Sequence, residues 1–201
     1  MMYCVGLTGT IASGKTTVLG YFSDLGISTI SADAIARQIT NFEPAVLQAI
    51  RNYFGDGVFL PTGELNRRAL RSIVFSNPKK RLWLENLLHP LIKQQIQAEI
   101  RTVKTPYCVI EIPLLFNREE FLYINRVLLI TADKATILTR IMTRDKCSKD
   151  DAMAILKSQP DEESRKQIAD DIIFNNQDPE VLRESINTLD EQYRISATSV
   201  C

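Results

Sequence analysis

Eight residues near the start constrain this chain more than anything else in it: Gly9-Thr10-Ile11-Ala12-Ser13-Gly14-Lys15-Thr16. They satisfy G-x-x-x-x-G-K-[ST], a phosphate-binding loop, at every specified position. The flanks supply the context that the chemistry needs. Met2 to Leu7 is a short apolar run that reads as a buried strand. Val18, Leu19, Phe22 and Leu25 then recur at helical spacing until Gly26. Glycines let successive backbone N–H groups turn inward on phosphate oxygens, and the following helix adds its positive N-terminal end. Lys15 would reach the β- and γ-phosphates, and the Thr16 hydroxyl would hold magnesium. The plainer reading is a glycine turn between a strand and a helix that binds nothing; the flanking elements favour a nucleoside triphosphate site.

A chain of 201 residues fits one domain with room for a subdomain. It contains 24 Lys plus Arg and 24 Asp plus Glu. That balance disfavours nucleic acid or an anionic membrane as the main partner. Cys4, Cys108, Cys147 and Cys201 form no C-x-x-C pair and no metal-ligand spacing, so a reducing cytoplasm without structural disulfides is expected. No apolar run approaches the ~18 residues of a membrane span, and the N-terminus carries no charged region of a signal peptide.

Strands and helices alternate along the chain. Strands are expected at 27–31, 107–112, 126–131 and 172–174 besides the first. Helices are expected at 34–40, from Pro44 to Phe54, over 65–75, from Pro78 towards Arg101, from Asp133 to Arg144, over 152–159 behind a Ser148–Asp151 capping box, and from Pro179 onward. Pro90 should kink or break the long helix, and the tail from Ser196 should fray. The pattern predicts an α/β fold: a P-loop, doubly wound, five-stranded parallel sheet flanked by helices. Residues 1–40 and 105–201 would form the nucleotide-binding core, 41–104 a helical acceptor-binding insertion and 140–166 a lid.

Several side chains are candidates for chemistry. Asp33 stands just past the second strand, at the sheet edge where ligands bind, and could take a proton from an attacking hydroxyl. It reads equally well as a helix N-cap. Glu111 ends a strand at the same edge and could hold magnesium or be a solvated carboxylate. Arg140 and Arg144 share a helix face suited to a triphosphate, although basic pairs at that spacing are commonly a solvated face. His89, the only histidine, excludes a multi-histidine metal site and reads as structural. Tyr53, Phe54 and Trp83 read as core.

These residues together closely resemble the dephospho-coenzyme A kinases. The matching stretches are Gly6 to Gly9 with the phosphate loop, Ala32-Asp33-Ala34-Ile35-Ala36-Arg37, Leu65 to Arg71 with Val74-Phe75, His89 to Ile92 and Pro113-Leu114-Leu115-Phe116. Arg140, Arg144, Gln159, Ala169-Asp170 and Asn175 match as well, so the likeness spans about residues 3 to 190. The resemblance implies an ATP-dependent kinase of the 3′-hydroxyl of dephospho-coenzyme A, with magnesium, acting as a monomer or weak homo-oligomer. It implies Asp33 as catalytic base with Lys15 and Arg140, and Gly9, Ala12, Ser13, Gly14, Lys15, Thr16 and Thr17 around ATP. Arg140 and Arg144 would be lid arginines, and Asn175 would lie near adenine. Thr8, Asp33, Arg67, Arg71, His89, Pro90 and Leu114 would lie around the acceptor. The family usually has glycine where Thr10 and Ala12 stand, a change tolerated if neither position needs φ > 0. It often has aspartate at Asn66 and glutamate at Asn117, which bears on acceptor contacts. Another small-molecule kinase of the same fold is the runner-up. A GTP-dependent switch would need N-K-x-D, and Asn175-Asn176-Gln177-Asp178 lacks the lysine.

Overall fold

A computed structural model describes residues 2–159, 162–176 and 178–199. Residues 160 and 161 of the expected lid, 177, and the end of the tail lie outside the described residues. The chain forms two compact units, one from the residues up to Ser31 and from Ile100 on, the other from Ala32–Glu99.

The first unit is built on five parallel strands: β1 (Tyr3–Gly9), β2 (Ser28–Ser31), β3 (Tyr107–Glu111), β4 (Arg126–Thr131) and β5 (Asp171–Phe174). Their spatial order is β2-β3-β1-β4-β5. The connection from β1 runs out to one edge and that from β4 to the other, so the order reverses beside β1. In open α/β sheets that reversal, at the carboxyl ends of the strands, is where ligands bind. Every residue of β1 is buried, as both faces of a covered parallel sheet require.

On one face, Val5, Leu7, Val109, Leu128 and Ile130 pack with Val18 and Phe22 of α1 (Lys15–Asp24). Ile186, Leu189 and Tyr193 of the C-terminal helix Pro179–Thr198 complete that core. Phe22, Tyr107 and Tyr193 contact one another ring to ring, and the Tyr107 hydroxyl donates to buried Asp190 across 2.6 Å. The helix Lys134–Asp145 forms a second apolar cluster with Lys149–Lys157 through Ile137, Leu138, Ile141 and Ala152. Asp133 caps the former and the Ser148–Asp151 capping box the latter. Cys4 and Cys108 face each other across β1 and β3, with Sγ atoms 3.6 Å apart.

The second unit is helical: α2 (Ala32–Phe42), α3 (Pro44–Phe54), α4 (Arg67–Ser76) and most of α5 (Pro78–Thr102). The remaining helices are α6 (Lys134–Asp145), α7 (Lys149–Lys157), α8 (Glu162–Ile168) and α9 (Pro179–Thr198). Among the described residues, no helix is long and apolar enough to cross a membrane.

Four local expectations are corrected. Of the kink or break expected at Pro90, the break does not occur, since α5 runs 25 residues through it. One proline removes one i→i−4 bond, and the remaining turns carry the ladder. The chain does not fray from Ser196, because buried Tyr193 and Ala197 hold α9 to Thr198. Tyr53 stacks on Trp83 at 4.0 Å with Phe54 edge-on to both, yet Tyr53 is 42% exposed, so this trio clamps α3 to α5 at the surface rather than forming a core. The polar stretch before β5 holds an unanticipated helix, α8.

Candidate active site

The phosphate loop leaves β1 at Gly9, whose register partner on β4 is Ile130. A Cβ at Gly9 would stand 2.2 Å from the Ile130 carbonyl oxygen, so only glycine lets the loop depart this close to β4. At the other end Gly14 has φ 104, and a Cβ there would meet the Asn175 amide nitrogen at 2.2 Å. Both invariant glycines of the motif thus answer to close approach.

Three side chains fix the loop by its carbonyl groups. Lys15 Nζ donates to Gly9 O at 3.0 Å and Thr10 O at 2.9 Å. Arg140 Nη1 donates to Ala12 O at 3.4 Å and Ser13 O at 3.3 Å. The Arg140 Nη2 donates to Asn175 O at 2.9 Å, and the Asn175 amide donates to Ser13 O at 2.7 Å. Asn175 is itself held to the sheet by its N–H on Thr131 O, 2.7 Å away. In a trans peptide the C=O and the next N–H point opposite ways. Holding the Ser13 carbonyl outward therefore turns the Gly14 N–H the other way. The N-terminus of α1 continues that surface: its cap is Gly14, which has no side chain to accept from the first-turn N–H groups. Amides aligned at a helix start, with a lysine beside them, suit an anion.

Ala12 requires a correction. Its φ is 59, so this position does occupy the left-handed region that glycine would fill without strain; Thr10 is not among the positive-φ residues. Such a residue costs about 1–2 kcal/mol relative to the right-handed region. The alanine methyl recovers part of that by packing with Ile11 and Met142 against the α6–α7 cluster.

Thr16 and Thr17 are exposed on the first turn of α1, and the Ser13 hydroxyl is buried without a hydrogen-bond partner among the described residues. Gly14, Thr17, Tyr21, Arg140, Asn175, Pro179 and Leu182 line a cavity of about 250 Å³. Glu111, 7% exposed at the end of β3, accepts from the Ser31 hydroxyl at 3.0 Å. The described residues contain no cluster of three His, Cys, Asp or Glu that would hold a metal alone. Thr8 is buried, its hydroxyl 3.4 Å from Pro113 O, and Leu114 is half exposed. Arg144 is not brought to the loop; its guanidinium pairs with Asp145 at 2.8 Å.

In the helical unit, α2 starts at Ala32 immediately after β2. Asp33 therefore lies inside the first helical turn and is not the cap. Its exposed carboxylate lines a cavity of about 320 Å³ with Arg37, Thr40, Arg67, Arg71, Leu84 and Leu88 among the other walls. The Arg67 Nη2 donates to Arg37 O, Thr40 Oγ1 and Asn41 Oδ1 at 2.7–3.0 Å, which immobilises that guanidinium. Burial, then the neighbouring Arg37 charge, lowers the Arg67 pKa. One carboxylate beside three guanidinium groups suits an anionic acceptor with a hydroxyl to deprotonate. His89 and Pro90 are exposed on α5 and lie outside this lining. Asn66 and Asn117, the two departures, are caps: Asn66 accepts from Ala69 N–H and Asn117 from Glu119 N–H. Asparagine caps as well as aspartate, so the first exchange is neutral there.

Sequence reasoning missed Arg165. It is completely buried on α8, in a stretch whose composition reads as solvated.

The family model described as dephospho-CoA kinase matches residues 3–180. A dephospho-CoA kinase of Legionella pneumophila (strain Paris) is 47% identical over 193 residues, 96% of each chain. The solved dephospho-CoA kinase of Campylobacter jejuni has a TM-score of 0.63 at 30% identity, covering 96% of this chain and 97% of that one. A solved Thermus thermophilus protein, TT1252, superposes with a TM-score of 0.80 at 27% identity over 95% of this chain and 97% of that one. With a parallel sheet carrying its phosphate loop at the strand-order reversal, and with this likeness over nearly its whole length, the chain belongs to the dephospho-CoA kinase family.

Proposed function

We propose that this chain transfers the γ-phosphoryl group of ATP to the 3′-hydroxyl of dephospho-CoA, giving CoA and ADP. The observation that carries the reading is the loop clamp: Arg140 and Asn175 hold the Ser13 carbonyl, which turns the Gly14 amide the other way, and Lys15 stands beside the loop within reach of a polyphosphate. The family's activity supplies the acceptor. On ATP binding, Lys15 would exchange its bonds to Gly9 and Thr10 carbonyls for bonds to phosphate. The adenine would occupy the cavity between Tyr21, Arg140, Asn175 and Pro179. Thr16 and Glu111 would hold magnesium, which neutralises charge on the phosphates.

Asp33 is the proposed base, because its carboxylate lines the arginine-walled cavity that suits an acceptor diphosphate. Arg37, Arg67 and Arg71 would bind that diphosphate. The test mixes protein, magnesium-ATP and dephospho-CoA and follows CoA by mass and by the 3′-phosphate resonance. Asp33→Asn should lower kcat by about 10²–10⁴-fold while ATP binding persists. Near-normal turnover by that variant removes Asp33 from the role. No CoA from the unaltered protein removes the acceptor assignment, and an acceptor panel with ADP readout then identifies the true substrate.

A further inference from the structure

The most anomalous charge in the first unit is Arg165. Its Nε, Nη1 and Nη2 are sealed from solvent, and none has a hydrogen-bond partner among the described residues. What the guanidinium touches is an aromatic face, the Phe116 ring, 4.6 Å from centroid to Cζ. A cation–π contact holds the group in place but satisfies none of its five N–H donors. Glu162, the acid of the same helix whose charge acts on it, is already engaged. It accepts from the Thr10 hydroxyl at 3.1 Å and pairs with Lys166 at 3.5 Å. Burial lowers the Arg165 pKa, and Glu162 only partly offsets this.

A buried cation with no hydrogen-bonded anion among the described residues is costly, so the arrangement destabilises the fold. A role in fold stability alone would be better served by an apolar side chain of the same volume. The location says what an anion partner would be. Helix α8 packs on β1 and β4, the strands on either side of the site where the phosphate loop begins. Its first residue is bonded to Thr10 of the loop itself. Phe116 belongs to the segment that follows β3 at the same carboxyl edge of the sheet. The acceptor's proposed guanidinium partners are all in the other unit.

We propose that Arg165 is a ligand of the β- and γ-phosphate oxygens of ATP, stored on Phe116 until the nucleotide arrives. The flexible stem then swings the planar fork off the ring and onto two phosphate oxygens, where charge develops during transfer. The inference rests on the phosphate loop being the ATP site, which Lys15→Ala tests separately by loss of ATP binding.

The experiment compares the full-length protein with Arg165→Met and Arg165→Lys by thermal unfolding, ATP titration and steady-state kinetics. Arg165→Met should melt no lower than the parent without nucleotide, bind ATP at least tenfold more weakly and lose 10²-fold or more in kcat. The dissociation constant for dephospho-CoA should stay within threefold, and Arg165→Lys should recover part of the ATP affinity. A lower melting temperature with unchanged ATP affinity assigns Arg165 to packing and overturns the proposal. Loss confined to acceptor binding overturns it equally. A measurement on the unaltered sequence covers the case of a variant that does not fold. With ¹⁵N-arginine labelling, the Arg165 Nε–H resonance should shift on adding a non-hydrolysable ATP analogue and not on adding dephospho-CoA alone. A resonance that ignores the ATP analogue refutes the assignment.

Discussion

Gly14→Ala tests the loop clamp most sharply, because one added carbon challenges two features at once. The new Cβ would stand 2.2 Å from Asn175 Nδ2, well inside any real contact, so the Asn175 amide has to leave. It then gives up its 2.7 Å bond to Ser13 O, and a buried carbonyl loses a partner. That loss is about 1–3 kcal/mol. The backbone at φ 104 adds an independent strain, about 1–3 kcal/mol for any residue but glycine. Together they come to roughly 2–6 kcal/mol, against the ~5–15 kcal/mol that keeps a domain folded. If the loop bears most of it, ATP should bind about 30-fold to 10⁴-fold more weakly, at 1.4 kcal/mol per decade. The assay is ATP titration by calorimetry, with circular dichroism to confirm folding. Asn175→Ala supplies the control. In the double variant the clash is gone and only the backbone strain is added, so the two losses should fall short of additivity by about 1–3 kcal/mol. ATP affinity within threefold of the parent for Gly14→Ala, or strictly additive losses, would refute the clamp.

Ala12→Gly should leave the melting temperature within about 3 °C, since relief of ~1–2 kcal/mol of left-handed strain opposes a lost methyl contact and a freer unfolded chain. An ordinary alanine-to-glycine loss, seen by calorimetry, would show that φ 59 is not strained. Asn66→Ala should destabilise α4 by about 1 kcal/mol and speed hydrogen exchange at the Ala69 amide, whereas Asn66→Asp should change neither. Asp171 accepts from Arg126 Nε and Nη2 at 2.6 and 2.9 Å and from the Tyr193 hydroxyl at 2.8 Å. Burial pushes its pKa up, but these donors outweigh it and hold the folded value below the usual carboxylate range. The stability it contributes is therefore complete above the unfolded pKa of about 4 and is lost as pH falls through the lower folded value. Melting temperature plotted against pH should fall less steeply below pH ~4 for Asp171→Asn than for the parent; parallel slopes would contradict this.

What the sequence revealed was whatever a few neighbouring residues settle among themselves. Pro44, Asp133, Ser148–Asp151 and Pro179 mark helix starts by local hydrogen bonding and fixed φ, and each stands where the structure begins a helix. The apolar run Arg126–Thr131 is a strand to the residue. Asp33 could be a cap or a ligand by local reading, and a helix start at Ala32 rather than Ala34 removes the cap. Arg165 was invisible for a different reason. Nothing in Glu162–Ile168 distinguishes it from Lys166 beside it, and the ring it rests on, Phe116, is distant in sequence. The φ of Ala12 was hidden in the same way, since Arg140, far along the chain, holds its carbonyl outward.

The same long-range contacts explain why a loop with a strained alanine can still serve. In a free segment an alanine at φ 59 would relax to right-handed values, whereas Gly14 at φ 104 carries no such penalty. Here Arg140 and Asn175 hold the outer carbonyls and owe nothing to the ligand, because Asn175 is itself anchored to β4 through Thr131. Lys15 holds the inner end by bonds to Gly9 and Thr10 that phosphate can replace. On the proposed reading the loop is shaped before ATP arrives, and binding would need Lys15 and Arg165 to change partners rather than a backbone to refold. Strain is paid during folding, where two distant side chains supply it, and the ligand meets amides already aimed.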